Sequence, residues 1–242
     1  EDVTCDGWGA YIFLRDVRTG GTWSAGYQPS GVEPDLYKAT FSEDRAAIAR
    51  TDPTVTTTLE IVISPEDDAE ARRVSITNNG PRTLDLELTS YAEIVLARQA
   101  DDVAHPAFAA LFVETEFVPD VSAILATRRR RSTADPQVWA AHLAVVEGES
   151  SGHVQFETDR ARFLGRGQTI RARAAIAEGW PLSNTVGAVL DPVFSLRRHV
   201  RIPRGATARV TFWTLAAASR EDVLDLADRH RDPIAFDRAK TL

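Results

Sequence analysis

Apolar and polar residues alternate with a two-residue period along most of this chain. Val55, Thr57, Leu59, Ile61 and Ile63 fall on one face and Thr54, Thr56, Thr58 and Glu60 on the other, which is the period of a half-buried β-strand. Val74 and Ile76 repeat the pattern within 72–77. After the turn from Asn78 to Pro81, Leu84, Leu86 and Leu88 repeat it again, so these two runs predict an antiparallel hairpin. The same reading predicts strands at 11–17, 21–24, 37–42, 46–50, 112–118, 122–127, 138–147, 153–157, 193–202 and 208–216. The runs from Tyr11 to Leu14 and from Trp139 to Val146 are apolar at both parities, which predicts central strands covered on both sides. About a dozen strands, separated by turns such as Thr19-Gly20-Gly21 and Arg204-Gly205, argue for a large antiparallel sandwich.

A helical period enters only near the end. Ser219 can cap a helix with Asp222 three residues on, and Val223, Leu226, Ala227 and His230 then share a face before Asp232-Pro233 stops it. One weaker helical turn is suggested over 159–164, and the residues after Pro233 read as the start of a further helix. The organisation predicted is an all-β body over 1–217 followed by linker helices over 218–242. The chain is expected to be a piece of something longer.

Composition narrows the chemistry. With 242 residues, 43 % hydrophobic and 26 % charged, the chain can bury a large single core. Its 35 acidic and 28 basic side chains leave a net charge of -7, which argues against a sequence-independent grip on nucleic acid phosphates. The single cysteine, Cys5, permits no internal disulfide and no cysteine metal site, and no two histidines stand at metal-ligand spacing. Neither a metal nor a cofactor is expected.

Candidate catalytic groups are sparse. Glu93, Glu114, Glu116 and Asp159 could supply a carboxylate pair, but Glu114 and Glu116 alternate in one strand, where two charges are ordinarily solvated. His142 lies in an apolar strand and reads as a hydrogen-bonded core histidine; His105, before Pro106, reads as a turn former. Sugar recognition would need exposed aromatic faces and hydroxyl-binding polar groups. Trp8, Trp23, Tyr27 and Trp180 stand near turns, whereas Trp139 and Trp213 lie inside strands and are expected in the core. The run from Arg128 to Arg131 reads as a solvated loop. The stretch DRARFLGRG, with Arg160, Arg162 and Arg166, could bind sugar hydroxyls, pair with an acidic surface or brace a dimer.

A family resemblance joins these pieces. The segments WGAYIFLRDVRTGGTWSAGYQPSGVEPD from Trp8, TFSEDRA at Thr40, TLEIVISPEDDAEARRVSITN at Thr58 and LTSYAEIVLA at Leu88 resemble glycoside hydrolase family 94. HPAFAALFVETE at His105, ETDRARFLGRG at Glu157, GAVLDPVFSLRR at Gly187 and RVTFWT at Arg209 are similar to the phosphorylase-like region of cyclic β-1,2-glucan synthases. The resemblance runs in order along nearly the whole chain. It implies an all-β fold, a β-supersandwich of antiparallel sheets of the galactose-mutarotase-like kind with a short C-terminal helix, leading to an (α/α)6 barrel that holds the general-acid aspartate and the phosphate site. No catalytic residue carries over to this sequence. The implied partners are that barrel, a β-glucan oligosaccharide and a second copy of the chain, with no nucleic acid. The implied location is the cytoplasmic side of a bacterial inner membrane, as part of a membrane-bound parent. Trp180, Arg160, Arg162, Arg166 and Trp23 are the candidate substrate contacts, with the loop from Trp180 to Gly187 beside them. Three other readings stay open: a free-standing mutarotase-like isomerase, which needs a histidine and a carboxylate converging in a cleft; a carbohydrate-binding module with an aromatic platform; and a purely structural dimerisation domain.

Overall fold

The structure, a computed structural model, describes residues 9–130, 132 and 135–241; Cys5, Trp8 and Arg131 lie outside them. Fourteen strands occur among the described residues: β1 (Ala10–Asp16), β2 (Thr22–Ser24), β3 (Leu36–Phe41), β4 (Arg45–Asp52), β5 (Val55–Ile63), β6 (Ala69–Asn78), β7 (Leu84–Glu93), β8 (Val113–Val118), β9 (Ala123–Arg128), β10 (Trp139–Glu147), β11 (Glu149–Asp159), β12 (Gly187–Ala188), β13 (Pro192–Ile202) and β14 (Thr207–Ala217). They make a five-stranded antiparallel sheet in the order β11-β13-β7-β1-β2 and a nine-stranded one in the order β12-β8-β9-β10-β14-β6-β5-β4-β3. Six helices join them: α1 (Gln99–Ala104), α2 (Pro106–Ala110), α3 (Arg160–Leu164), α4 (Ala174–Ala177), α5 (Arg220–His230) and α6 (Ile234–Thr241). The expected supersandwich of antiparallel sheets with a C-terminal helix is therefore present.

The sequence misleads on one pairing. β6 and β7 do not form the predicted hairpin: β6 pairs with β5 and β14, while β7 pairs with β1 and β13 in the other sheet. The turn between them is a corner. The Asn78 side chain donates to the carbonyls of Arg82 at 2.7 Å and Ile202 at 2.8 Å, and its oxygen accepts the Gly80 N–H at 2.9 Å. These bonds fold the chain across the gap between sheets, so Leu86 and Leu88 join Val74 and Ile76 in one core, from the opposite sheet. A two-residue period reports a buried face and is silent on whether the neighbour lies beside or opposite.

Three apolar clusters follow from the alternation. Between the sheets, Ile12, Leu14, Leu86, Leu196 and Val200 meet Leu59, Ile76, Val210 and Phe212. Outside the nine-stranded sheet, Leu125, Leu143, Trp213 and Leu215 pack under Val223, Leu226 and Phe236 of α5 and α6. The Ser219 hydroxyl accepts the Asp222 N–H at 3.0 Å and so caps α5 as predicted. Outside the five-stranded sheet, Phe13, Tyr91 and Val193 lie beneath Phe163, Ile170, Ile176 and Leu182. Thus β1 and β10 are covered on both faces, as their double-parity apolar runs require.

His142 is the hydrogen-bonded core histidine expected. Its ring stands 2.8 Å from the Ser90 hydroxyl and 3.1 Å from that of Thr214, and stacks between Phe194 and Phe212. Burial lowers its pKa from 6.5 to about 3. The unfolded chain therefore binds a proton that the folded chain refuses, and stability must fall as the pH drops from about 6.5 toward about 3. One such proton gives a slope of up to about 1.4 kcal/mol per pH unit. In urea unfolding between pH 7 and pH 4, His142→Gln is expected to lose that share of the slope; identical slopes would contradict the assignment.

Gly179 occupies the tightest turn of the cover over the five-stranded sheet. Its φ is +66°, and a Cβ there would stand 2.3 Å from the Arg15 guanidinium carbon, which Glu87 holds at 3.3 Å. Gly167, at φ +69°, has open space around it. Gly167→Ala is expected to cost about 1 kcal/mol from backbone strain alone, and Gly179→Ala about 2 to 3 kcal/mol because Arg15 must also move. Denaturant midpoints of the double variant with Arg15→Ala check this: the excess cost of Gly179→Ala should disappear.

Candidate functional site

The outer face of the five-stranded sheet mixes rings with charges. Tyr11, Phe13 and Arg15 of β1, Thr89, Tyr91 and Glu93 of β7, and Arg197 of β13 all point to this side by the two-residue period. Over them runs the connection between β11 and β12, residues 160–186, which carries α3, α4 and four of the five candidate substrate contacts.

Buried polar groups fasten this connection. Arg197 donates to the Thr89 hydroxyl at 2.9 Å, the Trp180 carbonyl at 2.8 Å and the Ala175 carbonyl at 2.7 Å. Burial lowers its pKa, against the pull of Glu87 at 4.0 Å. Glu157, also buried, accepts from the N–H groups of Thr158 and Asp159, both at 3.1 Å, and Ser183 at 3.2 Å. Asn184, at φ +54°, accepts the Phe156 N–H at 2.8 Å and donates its own N–H to the Phe156 carbonyl at 2.9 Å, so the loop runs along the free edge of β11 like a short strand. The Arg173 guanidinium covers Phe13 at 4.1 Å, and burial lowers its pKa to about 10.

The predicted contacts separate on this surface. The Trp180 ring is 58 % exposed, while its carbonyl is pinned by Arg197. Arg166 is exposed in the loop after α3. Arg162 is exposed too and reaches Asp159 at 3.6 Å. Arg160 is engaged: it bonds the Tyr91 hydroxyl at 2.9 Å, Glu93 at 3.1 Å and Asp191 at 3.2 Å. Burial works against its charge, yet Tyr91, Glu93 and Asp191 outweigh that and hold its pKa above the ordinary value. Trp23 does not join them. It lies in edge strand β2 and packs against the core between the sheets, with its indole N–H buried, because its parity in β2 turns it inward, away from the covered face.

The carboxylates that could have formed a catalytic pair are engaged separately. Glu93 binds Tyr91 and Arg160, Glu116 takes a bidentate bond from Arg220 at 2.7 and 3.2 Å, and Asp159 caps α3. Glu114 is exposed on β8. Two histidines lie near carboxylates, a feature the sequence did not reveal. His199 contacts the Ser151 hydroxyl and stands 3.8 Å from Asp85, too far for a hydrogen bond, on the outer side of the sheet edge. His230 stands 3.5 Å from Asp67 beside a cleft of about 330 Å³, but its ring packs tilted against Trp213 at 4.3 Å and burial lowers its pKa. Arg229 holds the other Asp67 oxygen at 3.1 Å, so this group braces α5 against the turn before β6.

Comparison with known proteins places this surface in a family context. The model of the "Glycosyl hydrolase 94, supersandwich domain" matches residues 1–233. The chain is 42 % identical over 235 residues to the cyclic beta-(1,2)-glucan synthase NdvB of Rhizobium meliloti (strain 1021), covering 97 % of this chain and 8 % of that protein. It is 23 % identical to the solabiose phosphorylase of Paenibacillus borealis, covering 86 % of this chain and 26 % of the relative. A bacterial glucoamylase complexed with acarbose shares the fold at a TM-score of 0.54 and 7 % identity, over 95 % of this chain and 30 % of that one. The chain thus spans a small part of each.

Removing the Arg197 side chain leaves two buried acceptors and one part-buried acceptor without their donor. Arg197→Met is expected to cost about 3 kcal/mol and to raise amide exchange selectively over 175–184. Exchange that rises evenly along the chain would contradict a local fastening role.

Proposed function

The chain belongs to the glycosyl hydrolase 94 supersandwich family, and on that premise we propose that it serves as a non-catalytic domain which supports a helical barrel of the same parent chain and contacts β-glucan. The observation that carries the glycan contact is the exposed Trp180 ring, held at its backbone by a buried arginine. A sugar ring stacks its apolar face on an aromatic side chain at small entropic cost when that side chain is already positioned. Arg162 and Arg166, exposed on the same connection, are placed to bond hydroxyls. The parent is proposed to be a cyclic β-1,2-glucan synthase at the cytoplasmic side of the inner membrane; no helix among the described residues is long and apolar enough to cross a membrane. Docking of a barrel or a second copy is supported by β3, the free edge of the nine-stranded sheet, where Leu36 and Phe41 stand exposed.

Calorimetric titration with linear and cyclic β-1,2-glucans, with cello-oligosaccharides for comparison, tests the contact. Saturable binding of the β-1,2 series is expected, weakened about tenfold by Trp180→Ala and less by Arg166→Ala. Absence of heat at millimolar glucan, or binding untouched by Trp180→Ala, would leave the domain a scaffold.

A further inference from the structure

A second basic surface lies where the chain leaves β7, forms α1 and α2 and returns as β8. Together with the residues after β9 this insertion encloses a cleft of about 600 Å³, lined among others by Arg98, Arg128, Arg129, Arg130, His105 and Phe108. That volume suits a small-molecule site. Asp101 and Asp135 also stand in the wall, and the Asp135 carboxylate is engaged by the Ser132 N–H at 2.9 Å. Among the described residues four guanidinium groups thus line the cleft with two carboxylates, in a chain whose net charge is -7.

What holds these arginines matters more than their number. Arg128 donates to the Ala109 carbonyl at 2.5 Å, which ties α2 to the end of β9. Arg128 and Arg129 both stand over the Phe112 ring, at 5.3 and 5.6 Å, and that ring meets Phe108 edge-on at 5.1 Å. The Arg129 N–H donates to the Phe112 carbonyl at 2.8 Å. The Phe112 face therefore lies under the Arg128 and Arg129 guanidinium groups, and of these two only Arg128 spends a guanidinium donor within the fold, on the Ala109 carbonyl. Among the described residues Arg98, Arg129 and Arg130 enter no ion pair, in contrast to Arg50, Arg73 and Arg160, each of which is bound to a carboxylate. Like charges gathered around one cleft repel one another, and a doubly charged oxyanion with several acceptor oxygens is the ligand that relieves this.

We propose that this cleft binds a phosphate dianion, either as inorganic phosphate or as the monoester of a small sugar. The exposed Phe108 ring, with Leu96 and Val138 in the same wall, offers an apolar face to the sugar of a monoester. The site shares no residue with the Trp180 surface, so either can fail without the other.

Titration of the chain at low ionic strength with inorganic phosphate, glucose 1-phosphate, glucose 6-phosphate and glucose tests it. Phosphate ligands are expected to saturate the chain in the millimolar range or below, with the monoesters tighter if the apolar wall is used and equal to phosphate if it is not. Glucose should not bind there. The double variant Arg129→Ala/Arg130→Ala and, independently, Arg98→Ala should weaken the phosphate ligands about tenfold, while Trp180→Ala leaves them unchanged. Both arginines of the double variant are exposed, so its unfolding midpoint should match that of the unaltered chain. Failure of every phosphate ligand to saturate, equal binding by the arginine variants, or glucose binding as tight as its phosphates would overturn the proposal.

Discussion

One buried guanidinium, that of Arg197, decides what the outer face of the five-stranded sheet can look like. The segment over that face has little regular structure, so some of its carbonyl groups need side-chain donors. Arg197 supplies two of them, at Ala175 and Trp180, while its Nε–H returns to Thr89 in the sheet. A planar fork reaches three acceptors in fixed directions, which a lysine ammonium on a flexible stem does not. The same contact sets the backbone of Trp180 and leaves the ring in solvent, so the sheet core and the exposed aromatic are linked through one side chain.

The nine-stranded sheet is closed by different means. There α5 and α6 satisfy their own backbone groups and need only present an apolar ridge, with Val223, Leu226 and Phe236 against Trp213 and Leu215. Charge enters at the margin. The Arg73 guanidinium covers the Phe236 ring at 3.7 Å while binding Glu60 at 3.0 Å and Asp237 at 2.9 Å, and Lys240 reaches Glu60 at 3.0 Å. Burial alone would raise the pKa of Glu60, but its bonds to Arg73 and Lys240 hold it below the usual carboxylate range. A helical cover is robust to changes in its outer residues, whereas the irregular cover depends on particular donors and acceptors such as Arg197, Glu157 and Asn184.

Most strands were legible because they bury at least one face, and burial is what periodicity reports; β3, exposed along its whole length, is the exception. The α5 cap at Ser219 was legible for the same local reason. The corner at Asn78 was not, since its side-chain bond to Ile202 joins residues far apart in sequence. α1 and α2 were also missed: their six and five residues present almost no buried side chain, Ala109 excepted, so no apolar stripe marks them. β12 has two residues and no period at all. Among the candidate contacts, Trp23 stands apart from the other four, because closeness to a turn does not fix the parity of a residue in its strand.

The arginines are where sequence and structure part furthest. DRARFLGRG and the run after Ala126 look alike on paper, as clusters of guanidinium groups near loops. Their surroundings differ in kind. Arg160 is enclosed by Tyr91, Glu93 and Asp191, so its donors stabilise the cover and cannot also serve a ligand without breaking those bonds. Arg162, Arg166 and Trp180 are the groups on that surface that remain exposed, and so the ones the proposed glycan contact relies on. Around Phe112 the reverse holds: ring faces and one carbonyl fix the guanidinium groups without neutralising them. A charge paired within the fold contributes to holding the fold, and a charge positioned but left unpaired is available to a ligand. By that distinction Arg160 of the first cluster is structural, and the second cluster is poised for an anion.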